Sequence, residues 1–231
     1  MNDKWLICLK VGTKYSSDYV NILSNMTARN SSNVRFGCYT DDTSGIDKHI
    51  ECFPLPNIPV NGWWYKPYFF SKNLPTSGTL LYCDLDVIIF NDLNKFFEYK
   101  PNEFCIIQDF HRWHRPNWPG VNSSVFRLES GTLAHVYDNL IQNPIPLTSK
   151  YRGDQDYLSK AIPSPTLWPT EWVMSYKWEM RQRAKIVNTV SGRNFESNGD
   201  PLVNPDTSIA VFHGEPNPHN CTDQWCKDNW K

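Results

Sequence analysis

The stretch over residues 79–90 reads TLLYCDLDVIIF and places two carboxylates, Asp84 and Asp86, inside an otherwise apolar run. Its aliphatic, aromatic and β-branched residues are typical of a strand that is buried on both faces. Because an unpaired charge is too costly to bury, we expect the acid pair at a strand end, facing a cation. Residues two apart project to the same side of an extended chain, so both carboxylates can point at one metal ion while Leu85 packs the other way.

The composition indicates an ordinary globular domain. With 231 residues, 40% hydrophobic and 20% charged, the chain is long enough for one large α/β domain or two small ones, and we expect one domain. A formal charge of -1 and the lack of a Lys/Arg-rich block argue against a nucleic-acid partner. No apolar run is long enough to span a bilayer and no signal peptide is evident, so we expect a cytoplasmic protein.

The seven cysteines are expected to be reduced residues, mostly of the core, since their number is odd and no CxxC pair is present. For Cys221 and Cys226 two interpretations stay open, which are simple packing and a disulfide in an oxidising compartment.

Strand and helix patterns alternate along the first half of the chain. The apolar pattern predicts strands over residues 5–11, 33–40 and 49–55, and a helix over residues 16–29. In open α/β sheets, ligands bind beyond the carboxyl ends of the strands. The loops over residues 12–15 and 40–42 are therefore expected to border one pocket.

The second half continues the same pattern up to a region without a clear assignment. Strands are predicted over residues 102–109, 120–128 and 208–212, and helices over residues 131–142 and from Gly153 onwards. The loop over residues 111–119 is too rich in proline for regular structure and could cover a pocket. No element is predicted over residues 164–198.

Three residues each have a structural and a functional interpretation. Lys66, alone in an aromatic stretch, is either a surface charge or a fixed cation for a phosphate. Asp154 is either the cap of the helix that it opens or a functional acid. His213 follows a strand, and Gly214 next to it allows close backbone approach, so His213 is either a structural residue or a metal or phosphate ligand.

The order of these motifs resembles that of the glycosyltransferases with the GT-A fold, and within them the retaining glycogenin- and galactosyltransferase-like group. The resemblance covers residues 5–219 and rests on the following motifs: Asp84-Leu85-Asp86, Asn122-Ser123-Ser124, Asp154-Gln155-Asp156 and His213-Gly214. It implies a single α/β domain with a mixed, mostly parallel sheet flanked by helices. Residues 1–92 would form the nucleotide-binding half and residues 93–231 the half that binds the sugar and the acceptor.

The resemblance also implies a metal site. In this group the two carboxylates of the DxD motif and a C-terminal histidine hold a divalent cation on the diphosphate of a nucleotide sugar. Asp84, Asp86 and His213 match these positions, and their donor atoms suit Mn²⁺ or Mg²⁺.

The remaining implied roles concern the donor and the reacting carbon. Val11, Gly12, Thr13 and Asp41 resemble the contacts to the base and ribose, and Asn122 would meet the donor sugar with Gly214 close to the diphosphate. Gln155 or Asp154 would face the anomeric carbon. A neutral Gln155 favours retention through a short-lived ion pair, whereas Asp154 would be the alternative nucleophile or sugar anchor.

One departure from the pattern concerns positive charge. The group continues its histidine motif to a lysine that binds diphosphate, but this chain has Asn217 there. The resemblance therefore implies that Lys66 or Arg112 supplies the charge. Asn122-Ser123-Ser124 also lacks a glycine that is often present at this motif.

The expected function is that of a metal-dependent hexosyltransferase-like enzyme using a nucleotide sugar, with UDP as the expected nucleotide and an unknown acceptor. Two alternatives stay open. A haloacid-dehalogenase-like phosphatase also begins with an apolar strand ending in DxD, although the residues after Asp86 differ from its pattern. A non-catalytic glycan-binding module could use the aromatic side chains, 14% of the chain, to stack on sugar rings.

Overall fold

The computed structural model describes residues 3–181, 185–189, 192–196 and 200–231. The strands are β1 (Lys4–Lys10), β2 (Arg35–Thr40), β3 (Glu51–Pro54), β4 (Thr79–Cys83), β5 (Val87–Ile89), β6 (Cys105–Gln108), β7 (Val121–Glu129), β8 (Thr166–Leu167), β9 (Val173–Ser175), β10 (Lys185–Thr189), β11 (Gly192–Glu196) and β12 (Ile209–Val211). The α-helices are α1 (Ser17–Asn30), α2 (Asn94–Glu98), α3 (His135–Gln142), α4 (Pro144–Lys150), α5 (Asp154–Ala161) and α6 (Gln224–Asn229).

A seven-stranded sheet in the order β3-β2-β1-β4-β7-β6-β8 forms the centre of the molecule. Neighbouring strands are parallel except at β7, which runs antiparallel to both β4 and β6. This confirms the predicted α/β class with a mixed, mostly parallel sheet. The sheet contains strands from both predicted halves of the chain: β1 to β4 lie before residue 92, and β6, β7 and β8 lie after it.

Apolar side chains pack on both faces of this sheet. On one face Leu6 and Cys8 of β1 pack with Leu23 of α1 and with the small sheet described below. On the other face, Trp5 and Ile7 pack with α3, with α5 and with the 3₁₀ helix Gly62–Phe70. Burial on both faces explains why the strands are continuously apolar rather than alternating.

The predicted single strand over residues 79–90 is wrong, because two strands in different sheets share it. β4 belongs to the large sheet, whereas β5 pairs antiparallel with β12 in a three-stranded sheet of order β5-β12-β9. The backbone N–H of Asp84 still donates to the carbonyl of Ser124 in β7 at 2.8 Å, while the carbonyl of Asp86 accepts from the N–H of Phe212, directly after β12, at 2.9 Å. The chain therefore changes sheets at the two carboxylates.

The other predicted strands and helices lie within a few residues of those in the structure. The pattern did not indicate α4 or α6, which are short. The unassigned region contains β8, β9 and the β10–β11 hairpin; residues 182–184, 190–191 and 197–199 of this region lie outside the described residues. In the described part of the chain, no helix is both long enough and apolar enough to cross a membrane.

Candidate active site

A cavity of about 1060 Å³ lies at the edge of the sheet where β1, β4 and β6 end and the antiparallel β7 begins. Nine residues predicted for the site line it: Val11, Lys66, Asp84, Asp86, Asn122, Asp154, Gln155, His213 and Gly214. The directions of the strands explain why these residues lie together, because the carboxyl ends of parallel strands and the amino end of an antiparallel neighbour share one edge of the sheet.

Lys66 forms a buried ion cluster with two of the acids. The aromatic side chains around it pack into the core, and Lys66 itself is only 6% exposed. Its Nζ lies 2.9 Å from Oδ1 of Asp84 and 3.5 Å from Oδ2 of Asp154, and it also donates to the Ser123 hydroxyl at 3.2 Å. The interpretation of Lys66 as a surface charge is therefore wrong.

The charges within this cluster stabilise one another. Burial by itself lowers the pKa of Lys66, but the carboxylates of Asp154 and Asp84 outweigh it and raise that pKa. Burial raises the pKa of Asp154, against the opposing effect of Lys66. Lys66 consequently remains a cation at neutral pH and holds its positive charge between the two acids.

Asp86 has a different partner. The hydroxyl of Tyr15, in the segment that leads from β1 to α1, donates to Oδ2 of Asp86 at 2.8 Å. Burial and then the charge of Asp84 raise the pKa of Asp86 to about 6. Among the residues that the structure describes, no lysine forms a hydrogen bond with Asp86 as Lys66 does with Asp84, and the Asp86 carboxylate would gain from an added cation.

A chain of polar contacts crosses the start of α5. The Asn122 amide donates to Oε1 of Gln155 at 3.4 Å, and Nε2 of Gln155 donates to Asp109 at the same distance. Asp109 also lies 2.7 Å from Nδ1 of His111. These contacts fix both ends of the Gln155 amide at the cavity wall.

Asp154 is the first residue of α5, and Gly153 holds the cap position. The Asp154 carboxylate accepts from the Ser123 hydroxyl on β7 rather than from the helix backbone. The interpretation of Asp154 as only a cap is therefore wrong, because its carboxylate joins α5 to β7 and to Lys66.

His213 is held on several sides where the chain leaves β12. Its Nε2 lies 2.6 Å from the Ser175 hydroxyl, and its ring stacks on Phe110 at a centroid distance of 5.4 Å. Lys177 donates to the His213 carbonyl at 2.8 Å and to the Glu215 carbonyl. Gly214 between them has φ +79°, a left-handed conformation that favours glycine in this turn.

The predicted metal ligands share one cavity without forming a preassembled site. In the residues that the structure describes, no group of three His, Cys, Asp or Glu side chains is arranged to hold a metal ion. Asp84 contacts Lys66 and Tyr82, Asp86 contacts Tyr15, and His213 contacts Ser175. The donor atoms suit Mn²⁺ or Mg²⁺, and the metal role of these residues stays a prediction.

The predicted nucleotide contacts are only partly at the cavity. Val11 lines it, whereas Gly12, Thr13 and Asp41 are not among its lining residues in the described part of the chain. The N–H of Gly12 donates to the Asp41 carboxylate at 2.9 Å, so these two predicted residues contact each other at the end of β1.

Arg112, the alternative cation for the diphosphate, forms its hydrogen bonds away from the cavity. Its guanidinium bonds Glu179 at 2.9 Å and the carbonyls of Gln108 and Val173, and it is buried away from the cavity lining. In this structure Arg112 therefore does not reach a diphosphate bound in the cavity.

Comparisons with solved structures show what fold surrounds the cavity. The galactosyltransferase LgtC, solved with donor and acceptor sugar analogs, matches with a TM-score of 0.67 at 11% identity over 97% of this chain and 93% of that chain. The chain has a GT-A glycosyltransferase fold. The glycosyltransferase GlyE of Streptococcus pneumoniae TIGR4 matches this GT-A chain with a TM-score of 0.67 at 12% identity. The match covers 97% of this chain and 59% of the GlyE chain.

A third match to the GT-A chain is the bifunctional glycosyltransferase WbbM, with a TM-score of 0.59, 11% identity, and coverage of 98% of this chain and 51% of that one. No protein-family model matches the sequence, and the search of curated proteins found no match. The similarity is therefore one of fold at low sequence identity.

Sequence analysis gave no individual role to several residues at the cavity of this GT-A fold. These are Lys14, Tyr15, Trp63, Asp109 and Ser123. Lys14 and Tyr15 lie in the loop over residues 12–15 that was expected to border a pocket, Ser123 lies in a quoted motif, and Asp109 was the polar exit of a predicted strand, so position relative to strand ends could have assigned Asp109 as well. Trp63 carried no such signal, because it lies in a run of aromatic residues.

Proposed function

We propose that this protein is a glycosyltransferase that moves a sugar from a nucleoside-diphosphate sugar, with UDP as the expected nucleotide, to an acceptor hydroxyl. The observation that carries the proposal is the convergence of Asp84, Asp86, Asn122, Gln155 and His213 on one cavity at the carboxyl edge of a GT-A sheet. The fold of LgtC, a galactosyltransferase solved with donor and acceptor sugar analogs, supports it.

The cavity offers separate regions for the two parts of such a donor. Val11 and Lys14 line it where β1 ends, and Lys14 is exposed there as a cation. Asn122 and Gln155 line it two strands further along the sheet, beyond Asp84. We place the nucleotide at the first region, the diphosphate beside Asp84, and the sugar against Asn122 and Gln155.

The residues of this chain favour retention without a covalent intermediate. Asp154 is buried, and its carboxylate is already bound by Ser123 and Lys66, which makes it a poor nucleophile and a good anchor. Gln155 presents a neutral amide held by Asn122 and Asp109. Such a fixed dipole can stabilise positive charge that develops on the sugar. An active-site glutamine has also been replaced by glutamate in a solved LgtC variant.

A divalent cation fits the proposal through the chemistry of Asp84, Asp86 and His213, which would hold it. When bound, Mn²⁺ or Mg²⁺ would neutralise charge on the departing diphosphate. The raised pKa of Asp86 supports a cation here, because burial and the charge of Asp84 leave its carboxylate poorly compensated.

The direct test is a panel of UDP-, GDP- and ADP-sugars incubated with the purified protein and Mn²⁺, Mg²⁺ or excess chelator. We expect release of the nucleoside diphosphate from at least one sugar donor, lower in chelator, and a Tm raised by the matching nucleoside diphosphate. The configuration of the transferred sugar, observed by NMR, reports retention or inversion.

Two outcomes would contradict the proposal. Release of phosphate from p-nitrophenyl phosphate with no turnover of nucleotide sugars would favour the dehalogenase-like phosphatase. No turnover and no Tm shift with UDP, GDP or ADP would favour the non-catalytic glycan-binding module.

A further inference from the structure

Trp63 presents an open indole face to the cavity. It is 54% exposed and lines the cavity, whereas Trp64, Phe69 and Phe70 of the same 3₁₀ helix are buried in the core. About half of the Trp63 surface is therefore left uncovered by the described residues. A large planar surface at a concave site is a binding surface for a flat apolar face.

The indole lies directly beside the start of α5. A Cβ atom built on Gly153 would come within 3.3 Å of Nε1 of Trp63. Gly153 has φ −174°, an extended conformation open to any residue, so its backbone does not require glycine. The missing side chain instead leaves the room that the indole occupies next to Asp154 and Gln155.

A second aromatic group borders the cavity near Gln155. Trp118 lines the cavity, and its ring stacks on His111 at a centroid distance of 5.3 Å. His111 contacts Asp109, which accepts from the Gln155 amide. The Gly153–Gln155 segment therefore has Trp63 at one end and, through Asp109, the His111 and Trp118 pair at the other.

This aromatic end of the cavity is separated from the end at β1. The loop that carries Trp118 follows β6, and β4 and β7 lie between β6 and β1 in the sheet. Three strand spacings amount to about 14 Å. With the nucleotide placed at β1, the aromatic end lies beyond the donor sugar, where an acceptor must approach.

We propose that the acceptor is a saccharide, and that one of its pyranose rings stacks on the indole of Trp63. The proposal rests on the proposed function and adds the class of acceptor to it. Besides the indole, this wall of the cavity carries hydrogen-bonding side chains from α5 and the residue before Gly153: Arg152, Asp156, Ser159 and Lys160. A sugar ring has one apolar face and a rim of hydroxyls, which matches an exposed indole edged by polar groups.

A lipid or an apolar peptide matches this wall less well. The side chains that Arg152 and α5 contribute to the cavity lining are charged or polar, and an alkyl chain would remove them from water without satisfying their hydrogen bonds. The saccharide keeps them hydrogen-bonded while covering the indole.

The test uses the full chain on a glycan array, followed by titration of the glycans that bind. We expect Trp63→Ala to weaken binding about ten-fold or more, and Trp63→Phe, which keeps a flat ring, to weaken it less. Gly153→Ala should also weaken it, because the added methyl group displaces the indole. Trp113→Ala is the matched control, since Trp113 is also exposed, at 44%, but does not line the cavity.

Donor turnover without acceptor, measured on the same variants, separates this proposal from the proposed function. Nucleoside diphosphate release by the control Trp113→Ala should match the wild-type rate. Failure of the unmodified protein to turn over any nucleotide sugar would contradict the proposed function alone. Absence of glycan binding, equal loss in Trp63→Ala and Trp113→Ala, or binding of an apolar peptide or lipid at Trp63 instead would overturn the saccharide proposal.

Discussion

The Nζ atom of Lys66 lies 2.9 Å from Oδ1 of Asp84, in an ion pair whose side chains are 7% and 21% exposed. The same Nζ reaches Asp154 at the start of α5. One cation from the 3₁₀ helix thus joins the end of β4 to the start of α5, and these two elements carry most of the acids at the cavity.

Replacing Lys66 with methionine should destabilise the protein by about 3–5 kcal/mol, because two carboxylates would stay buried without their cation. Urea unfolding at pH 7 measures the loss. Arg35→Met is the matched control: it breaks the exposed Arg35–Glu51 pair and should have a far smaller effect. Equal losses in the two variants would contradict the role of burial.

Adding Asp154→Asn to Lys66→Met should restore part of the lost stability, since it removes one of the two uncompensated charges. The comparison is a double-mutant cycle, and a coupling free energy near zero would show that Lys66 and Asp154 do not interact.

Asp86→Asn should stabilise the protein at neutral pH in excess chelator. The pKa of Asp86 rises from 3.8 to about 6 on folding, so between these values the folded state keeps a proton that the unfolded state has released. Stability therefore falls as pH rises through this window, by about 3 kcal/mol in total. Asparagine removes this cost and still offers Tyr15 an acceptor.

The check is urea unfolding of both proteins between pH 4 and pH 7. The advantage of Asp86→Asn should be present at pH 7 and shrink towards zero at pH 4, where Asp86 is protonated in the folded protein. A difference that does not vary with pH would exclude titration of Asp86 as its source.

Gln155→Ala should lower kcat for the nucleotide sugar by about 100-fold, with a much smaller change in KM. A larger effect on kcat than on KM follows from the proposed role, in which the Gln155 amide stabilises charge that develops only in the transition state. Gln142→Ala, at the exposed end of α3, is the control and should keep both constants. A change confined to KM would assign Gln155 to ground-state binding instead.

Lys14→Gln should raise KM for the nucleotide sugar about ten-fold with little change in kcat, since Lys14 is the exposed cation that lines the cavity near β1. Initial rates over a range of donor concentrations give both constants. Lys72→Gln serves as the control because Lys72 is exposed outside the cavity lining. An unchanged KM in Lys14→Gln would require another source of positive charge for the diphosphate.

Much of the architecture could be predicted because strands buried on both faces leave long apolar runs, and because ligands bind at the carboxyl edge of such sheets. Asp84 could be assigned to a site for the same reason, whereas Gln155 on α5 was assigned to it through the family resemblance. The change of sheet between β4 and β5 could not, since the residues on both sides of Asp86 are equally apolar. Pairing with β12, more than a hundred residues away, decides that change.

The sequence pattern also could not predict contacts between side chains that are far apart in the chain. Tyr15 bonds Asp86 across 71 positions of sequence, and nothing local to either residue indicates the pair. Similarly, Trp63 and Trp64 are neighbours in one aromatic run, but one is open to the cavity and the other is in the core. A 3₁₀ helix has three residues per turn and gave no amphipathic period to separate them.

The chain passes from the large sheet to the small one between Asp84 and Asp86, and this affects how such a site can diversify. Asp84 ends a strand of the large sheet, whereas Asp86 precedes β5 and His213 follows β12 in the small one. Two of the three groups therefore adjoin the small sheet, and the third adjoins the large one. Substitutions in the apolar core between the two sheets could change the distances among the three groups over evolutionary time, or in a redesigned enzyme, while every reactive residue keeps its identity.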